Sequence, residues 1–134
     1  MKRTTKIKTK SRIRISSAKQ KARRLQRWVC CKISLLIDLP WGSSGQDQPI
    51  ESRAMGQSGP DIRLERHACL LFPFSVECKC QEKWNVHSWI DQAQSNKRPG
   101  TDWLIVAKRS RKTPVVIMDA ETFFSLVDMK NKKC

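Results

Sequence analysis

Apolar residues recur at helical spacing near the start of the chain. Ala18, Ala22, Leu25, Val29, Ile33 and Leu36 fall on one side of a predicted helix over residues 17–37. Lys19, Arg23, Arg24 and Arg27 fall on its exposed side. Ser16 or Ser17 offers the N-cap. Pro40 and the Gly- and Ser-containing run 41–45 end the helix in a loop.

Beyond that loop the period shortens. Residues 50–55 read as a short strand, 56–59 as a turn-rich loop and 61–65 as an alternating strand. The stretch 70–80 carries the clearest alternation. Leu70, Phe72, Phe74, Val76, Cys78 and Cys80 take its even positions; Leu71, Pro73, Ser75, Glu77 and Lys79 take its odd ones. A strand sends these sets to opposite faces, so the even set makes a core face and Glu77 stands beside Lys79 on the other. Asn85 caps a predicted helix that aligns Val86, Trp89, Ile90, Ala93 and Lys97, and Pro99 with Gly100 stops it. The runs 103–107 and 113–118 predict two strands around a basic turn at 108–112. Asp119 caps a last helix through about residue 127. Strands interleaved with helices predict an α/β domain with a mixed central sheet flanked by helices, in the order αβββαββα.

Composition changes this picture mainly through charge. The 134 residues suffice for one domain, and 27 Lys and Arg against 12 Asp and Glu give a net +15. The excess is not spread evenly. Residues 1–37 hold 13 of the basic residues and no acid, leaving the remainder at +2. Residues 1–16 lack a second apolar face and read as a flexible basic arm on a domain over 17–134. Such an arm fits phosphate binding, with any chemistry placed elsewhere. The apolar stretch 33–39 is far short of the ~20 residues a membrane span needs. No apolar run follows the basic start promptly, which argues against a secretory leader. The six cysteines occur as a C-C pair, a C-x-C pair and two single residues. That spacing does not suit zinc, and it reads as reduced thiols in a cytoplasmic protein. His67 and His87 stand alone and read as surface groups. Trp84 and Trp89 read as packing residues, whereas Trp28 and Trp41 flank the first helix and suit a dimer contact. The run 108–112 is either a solvated turn or a phosphate contact.

The candidate chemistry lies at Pro60-Asp61 and Glu77-Cys78-Lys79. Two carboxylates on neighbouring strands can supply hard oxygen ligands to Mg²⁺, with the backbone carbonyl of Cys78 as a further ligand. Lys79, two residues along the same strand face, can orient an attacking water or stabilise developing negative charge. An E-x-K triplet alone says little. Asp128-Met-Lys130 repeats the pattern in the last helix, where a period of two does not apply.

Ser58-Gly-Pro-Asp-Ile62, a hydrophobic strand and Phe72-Pro-Phe-Ser-Val-Glu-Cys-Lys79, followed by Gln81-Glu-Lys83 and Gln92-Ala-Gln94, resemble the PD-(D/E)xK nuclease superfamily. The nearest look is to archaeal Holliday-junction resolvases and the small resolvase-like nucleases of phage genomes. The resemblance implies a single restriction-endonuclease-like domain that hydrolyses DNA phosphodiesters with Mg²⁺ or Mn²⁺. It implies metal binding by Asp61 and Glu77, a catalytic Lys79, and a helix glutamine near the site at Gln94 or Gln92. DNA, branched or duplex, would be held by Lys19, Arg23, Arg24, Arg27, Arg53, Ser58 and Lys83. Symmetric cutting of two strands would need a homodimer. The setting would be the cytoplasm of a bacterium or of a phage-infected cell. One departure stands out. The first helix has no acid before Asp38, where family members often carry a metal-site glutamate, so Gln26 or Glu51 would have to substitute. The rival readings are a nicking, restriction or recombination nuclease of the same superfamily, and a basic DNA-binding protein without catalysis.

Overall fold

A computed structural model describes residues 6–43, 47–54 and 56–133, with side chains from residue 17 onward. The first helix, α1 (Lys6–Ile37), begins well before residue 17, inside the stretch read as a flexible arm. No glycine or proline interrupts the chain there, and Lys, Arg and Gln are good helix formers. Residues 1–5 of the predicted arm lie outside the described residues. Asp38, at a left-handed φ of 56°, ends α1, and the Leu39 N–H returns to the Ser34 carbonyl.

Two short strands follow, β1 (Trp41–Ser43) and β2 (Ile50–Ser52), paired in parallel; the first lies where a loop was expected. β3 (Ile62–Leu64) runs antiparallel to β2. A six-residue helix, α2 (Arg66–Leu71), then replaces the first part of the strand predicted over 70–80. The strand β4 (Phe74–Cys80) starts only after Pro73. The alternation fails ahead of that proline: Ala68 is fully buried, whereas Leu70 is 73% exposed. α3 (Val86–Asn96), capped by the Asn85 side chain on the Ser88 N–H, crosses to β5 (Asp102–Lys108), which lies parallel to β4. β6 (Val115–Met118) returns antiparallel, and α4 (Ala120–Lys132) follows from an Asp119 cap.

The mixed α/β class agrees with the sequence reading, but the single central sheet does not. Among the described residues there are two three-stranded mixed sheets, β1-β2-β3 and β4-β5-β6. They share the core beneath α1, and a backbone hydrogen bond from the Asp61 N–H to the Val76 carbonyl, 3.0 Å, joins them. β3 is too short to extend the pairing beyond it.

Alternation along β4 and β5 builds two cores. Val76, Leu104 and Val106, with the half-buried Phe74, Cys78 and Cys80, face α1 and pack on Leu25, Val29, Cys30 and Ile33. Ile37, rather than the exposed Leu36, completes that stripe. Trp103, Ile105 and Ala107 face the other way, against Trp89 and Ala93 of α3. Glu77 and Lys79 have the parity of this second face, so the fold aims them toward α3. Among the described residues, no helix is long and apolar enough to cross a membrane.

Candidate active site

Asp61 enters the site from the turn before β3. Gly59, two residues earlier, holds φ +90°, a conformation that glycine adopts without strain. The Asp61 carboxylate accepts a hydrogen bond from the Cys78 N–H at 2.7 Å. Glu77 is buried, and its Oε1 accepts from Asn96 Nδ2 at 3.1 Å. The two carboxyl groups lie close enough for the charge of one to shift the titration of the other. Burial raises both above the ordinary carboxylate range. In Glu77 the Asp61 charge adds to that effect and pushes it up to about 7. The Cys78 hydrogen bond, then Lys79 and Arg53, offset part of the rise in Asp61, but among the described residues neither carboxylate has a salt-bridge partner.

Lys79 Nζ donates to Gln92 Oε1 at 2.6 Å. Gln92, Ala93 and Asn96 recur at helical spacing, so one face of α3 supplies a partner to Lys79, a packing surface and a partner to Glu77. The glutamine at Lys79 is therefore Gln92; Gln94 is exposed and makes no side-chain hydrogen bond among the described residues. Asn96 was missed in the sequence. Its one signal is its place four residues after Gln92.

The oxygen atoms around the pair suit a hard divalent cation. Val76 turns its carbonyl toward Asp61, and Cys78, two residues on, turns its N–H the same way. The carbonyl of a strand residue points to the side of its own N–H, so the Cys78 oxygen also faces Asp61. Two carboxylates and one carbonyl fit Mg²⁺ or Mn²⁺ with the remaining positions left to water and substrate oxygens. The Cys78 thiol lies on the α1 face, and burial pushes it well above the usual thiol range, so it is not a ligand. Among the described residues, no group of three or more His, Cys, Asp and Glu side chains is placed to hold a metal.

The remaining candidates divide. Glu51 is engaged elsewhere, 3.2 Å from Arg63 and accepting from the Gln48 N–H. Gln26 is buried and accepts from Ser52 Oγ at 2.7 Å; Ser52 pairs with Ile62, next to Asp61. Arg53 donates to Gln57 Oε1 at 3.2 Å beside Gly59, so it stays with the Asp61 turn, where Ser58 is exposed. Lys83 is exposed between β4 and α3. Lys19, Arg23, Arg24 and Arg27 are exposed on α1, but Arg24 belongs to a separate cleft near the β5–β6 turn. No protein-family model, curated protein or solved structure matches the chain.

Proposed function

We propose that this protein is a metal-dependent DNA endonuclease of the PD-(D/E)xK type, acting on branched DNA in the cytoplasm of a bacterium or phage-infected cell. The observation that carries the reading is the half-buried Asp61 beside the buried Glu77, without a salt-bridge partner among the described residues and flanked by Lys79. Two ionised carboxylates side by side and partly desolvated are costly, and a bound cation removes that cost. The α1–β4–α3–β5 core, with the β2–β3 hairpin delivering Asp61, supports a restriction-endonuclease-like arrangement.

Asp61 and Glu77 hold Mg²⁺ or Mn²⁺, with the Cys78 carbonyl as a third protein oxygen. The Cys78 N–H and Asn96 amide fix the direction of the two carboxylates. The bound ion supplies Lewis acidity toward the phosphate and a lower pKa for the attacking water. Lys79, positioned by Gln92, orients that water and offsets the charge that builds on the phosphate oxygens. The basic residues of α1 add sequence-independent phosphate contacts.

Cutting two strands symmetrically requires a second site. The apolar side chains Val115, Val116, Phe123, Phe124, Leu126, Val127 and Met129 stand exposed on β6 and α4. β6 is also a sheet edge with unpaired backbone groups. A second copy of the chain fits there, giving a two-fold dimer.

The test is a panel of labelled four-way junction, flap, duplex and single-stranded DNA, incubated with Mg²⁺ and with EDTA. The expected result is metal-dependent cutting of the four-way junction ahead of the duplex, lost in Lys79→Ala with DNA binding kept. Binding without cutting of any substrate would replace this reading with a non-catalytic DNA-binding protein. Preferred cutting of the duplex would point to a restriction or nicking enzyme.

A further inference from the structure

Across the sheet from the carboxylate pair, a cleft of about 430 Å³ opens between α1 and the turn joining β5 to β6. Lys21, Arg24, Trp28, Lys108 and Arg111 line it, and among the described residues no acid does. A second hollow adjoins it through Lys21, Cys80 and Ser110, extending it into a groove. The one acid of that extension, Glu82, is already engaged by the Ser110 N–H at 2.8 Å and by Arg109 at 3.7 Å. Among the described residues Arg24, Lys108 and Arg111 have no acidic partner.

Two features give the groove a built character. Arg111 holds φ 61°, a left-handed conformation that a non-glycine residue keeps only when its surroundings enforce it. The Lys112 N–H closes that turn on the Arg109 carbonyl, and Lys21 Nζ ties α1 to it through Ser110 Oγ at 3.0 Å. Trp28 stands in the wall of the cleft, 44% exposed, with Lys32 Nζ 5.4 Å from its ring centroid. Cations along a groove with an open aromatic face match an unpaired nucleic-acid strand: phosphates take the cations, and an unstacked base takes the ring. In a duplex the bases are already stacked and leave the indole unused.

We propose that this groove binds a single-stranded segment of nucleic acid, with one base stacked on Trp28 and the phosphates on Arg24, Lys108 and Arg111. The proposal rests on the nucleic-acid part of the reading above, but not on catalysis. Lys79 and Cys80 are consecutive and face opposite sides of β4, so groove and carboxylate pair share one end of the strand. Branched or flapped DNA offers something to each: duplex to the carboxylate face, and an unpaired strand to the groove.

The experiment is fluorescence anisotropy in EDTA with fluorescein-labelled dT20 and a 20-base-pair duplex, using the full chain. Trp28→Ala should weaken dT20 binding about tenfold and duplex binding less than twofold, and Trp28→Phe should restore most of the loss. Arg24→Ala with Arg111→Ala should lower the slope of log K against log salt on dT20 by about 1 to 1.5. Unchanged dT20 binding by Trp28→Ala, or equal losses on both DNAs, would overturn the proposal. Wild-type binding to duplex but not to dT20 would overturn it while leaving the nuclease reading standing. Binding to neither would overturn both. Loss of binding to phosphatidylserine vesicles in these variants, with dT20 binding intact, would overturn it in favour of a membrane surface.

Discussion

Two carboxyl groups held side by side away from water destabilise the fold that holds them, and half-buried Asp61 beside buried Glu77 carries that signature. Glu77 is raised from an ordinary 4.5 to about 7 by burial first and by the Asp61 charge second. Between those values the folded chain holds a proton that the unfolded chain has released. The Glu77 contribution is therefore fully favourable below 4.5, declines as pH rises, and is lost above about 7. Glu77→Gln removes the dependence. In EDTA at pH 8 it should stabilise the protein by on the order of 1–2 kcal/mol, and at pH 4 it should have little effect, as read by urea unfolding. A destabilised variant at pH 8 would show that Glu77 works as a structural hydrogen-bond acceptor. Mg²⁺ should raise the melting midpoint of the wild type and leave that of Glu77→Gln unmoved. Asn96→Ala and Gln92→Ala, which lose only the partners of Glu77 and Lys79, should each lower cutting about 10- to 100-fold with folding intact. Asp61, Glu77 and Lys79 were readable as a motif because strand period and residue type coincide. Asn96 was not, since a helix-end asparagine looks the same in the sequence whether it caps, faces water or holds a carboxylate. Gln92 and Gln94 differ only in helical phase, and two residues of phase decide which one meets Lys79.

At the scale of elements, β4 shows where pattern reading works and where it stops. From Phe74 onward the alternation is real, and it sends Val76 to one core and Glu77 to the other side. Ahead of Pro73, apolar residues arranged much as in a strand form the six-residue α2. Fewer than two turns of helix are too short for a period of 3.6 to separate from a period of two. Leu70→Asp distinguishes the two arrangements, and Val76→Ala, at a position buried in both, serves as the reference. The first should change stability by less than about 0.5 kcal/mol. The second should cost about 2 kcal/mol. A large loss from Leu70→Asp would restore the longer strand. α1 erred in the other direction. Alternating lysines and arginines carry no apolar periodicity, yet their helix propensity lets the helix begin at Lys6. The three-residue β1 left no signal beyond its tryptophan, since a strand that short is set by its partner β2.

For the whole molecule, most of the charge and the longest series of exposed apolar side chains lie at opposite ends of the chain. The first 37 residues hold 13 of the 15 net charges, whereas β6 and α4 expose seven large apolar side chains. Deleting residues 2–15, which removes seven Lys and Arg, should weaken DNA binding and flatten its salt dependence, as measured by anisotropy across salt concentrations. An unchanged slope would place the phosphate contacts elsewhere. Sedimentation should give a particle of twice the 15.5 kDa chain mass, reduced to a monomer by Phe124→Glu with Val116→Glu. The overall α/β class was legible because strands and helices alternate along the chain. Division into two sheets was not, because it depends on β3 being too short to continue the pairing that Asp61 begins with Val76.

The carboxylate pair as a cation site for DNA hydrolysis is tested most directly by one comparison: the single-turnover cutting rate of wild type and Asp61→Asn on a four-way junction in Mg²⁺, at equal DNA occupancy. The predicted result is Mg²⁺-dependent cutting by the wild type and a loss of at least about 10²-fold in the variant, whose junction binding is unchanged. Equal rates in the two proteins would contradict the assignment of this site.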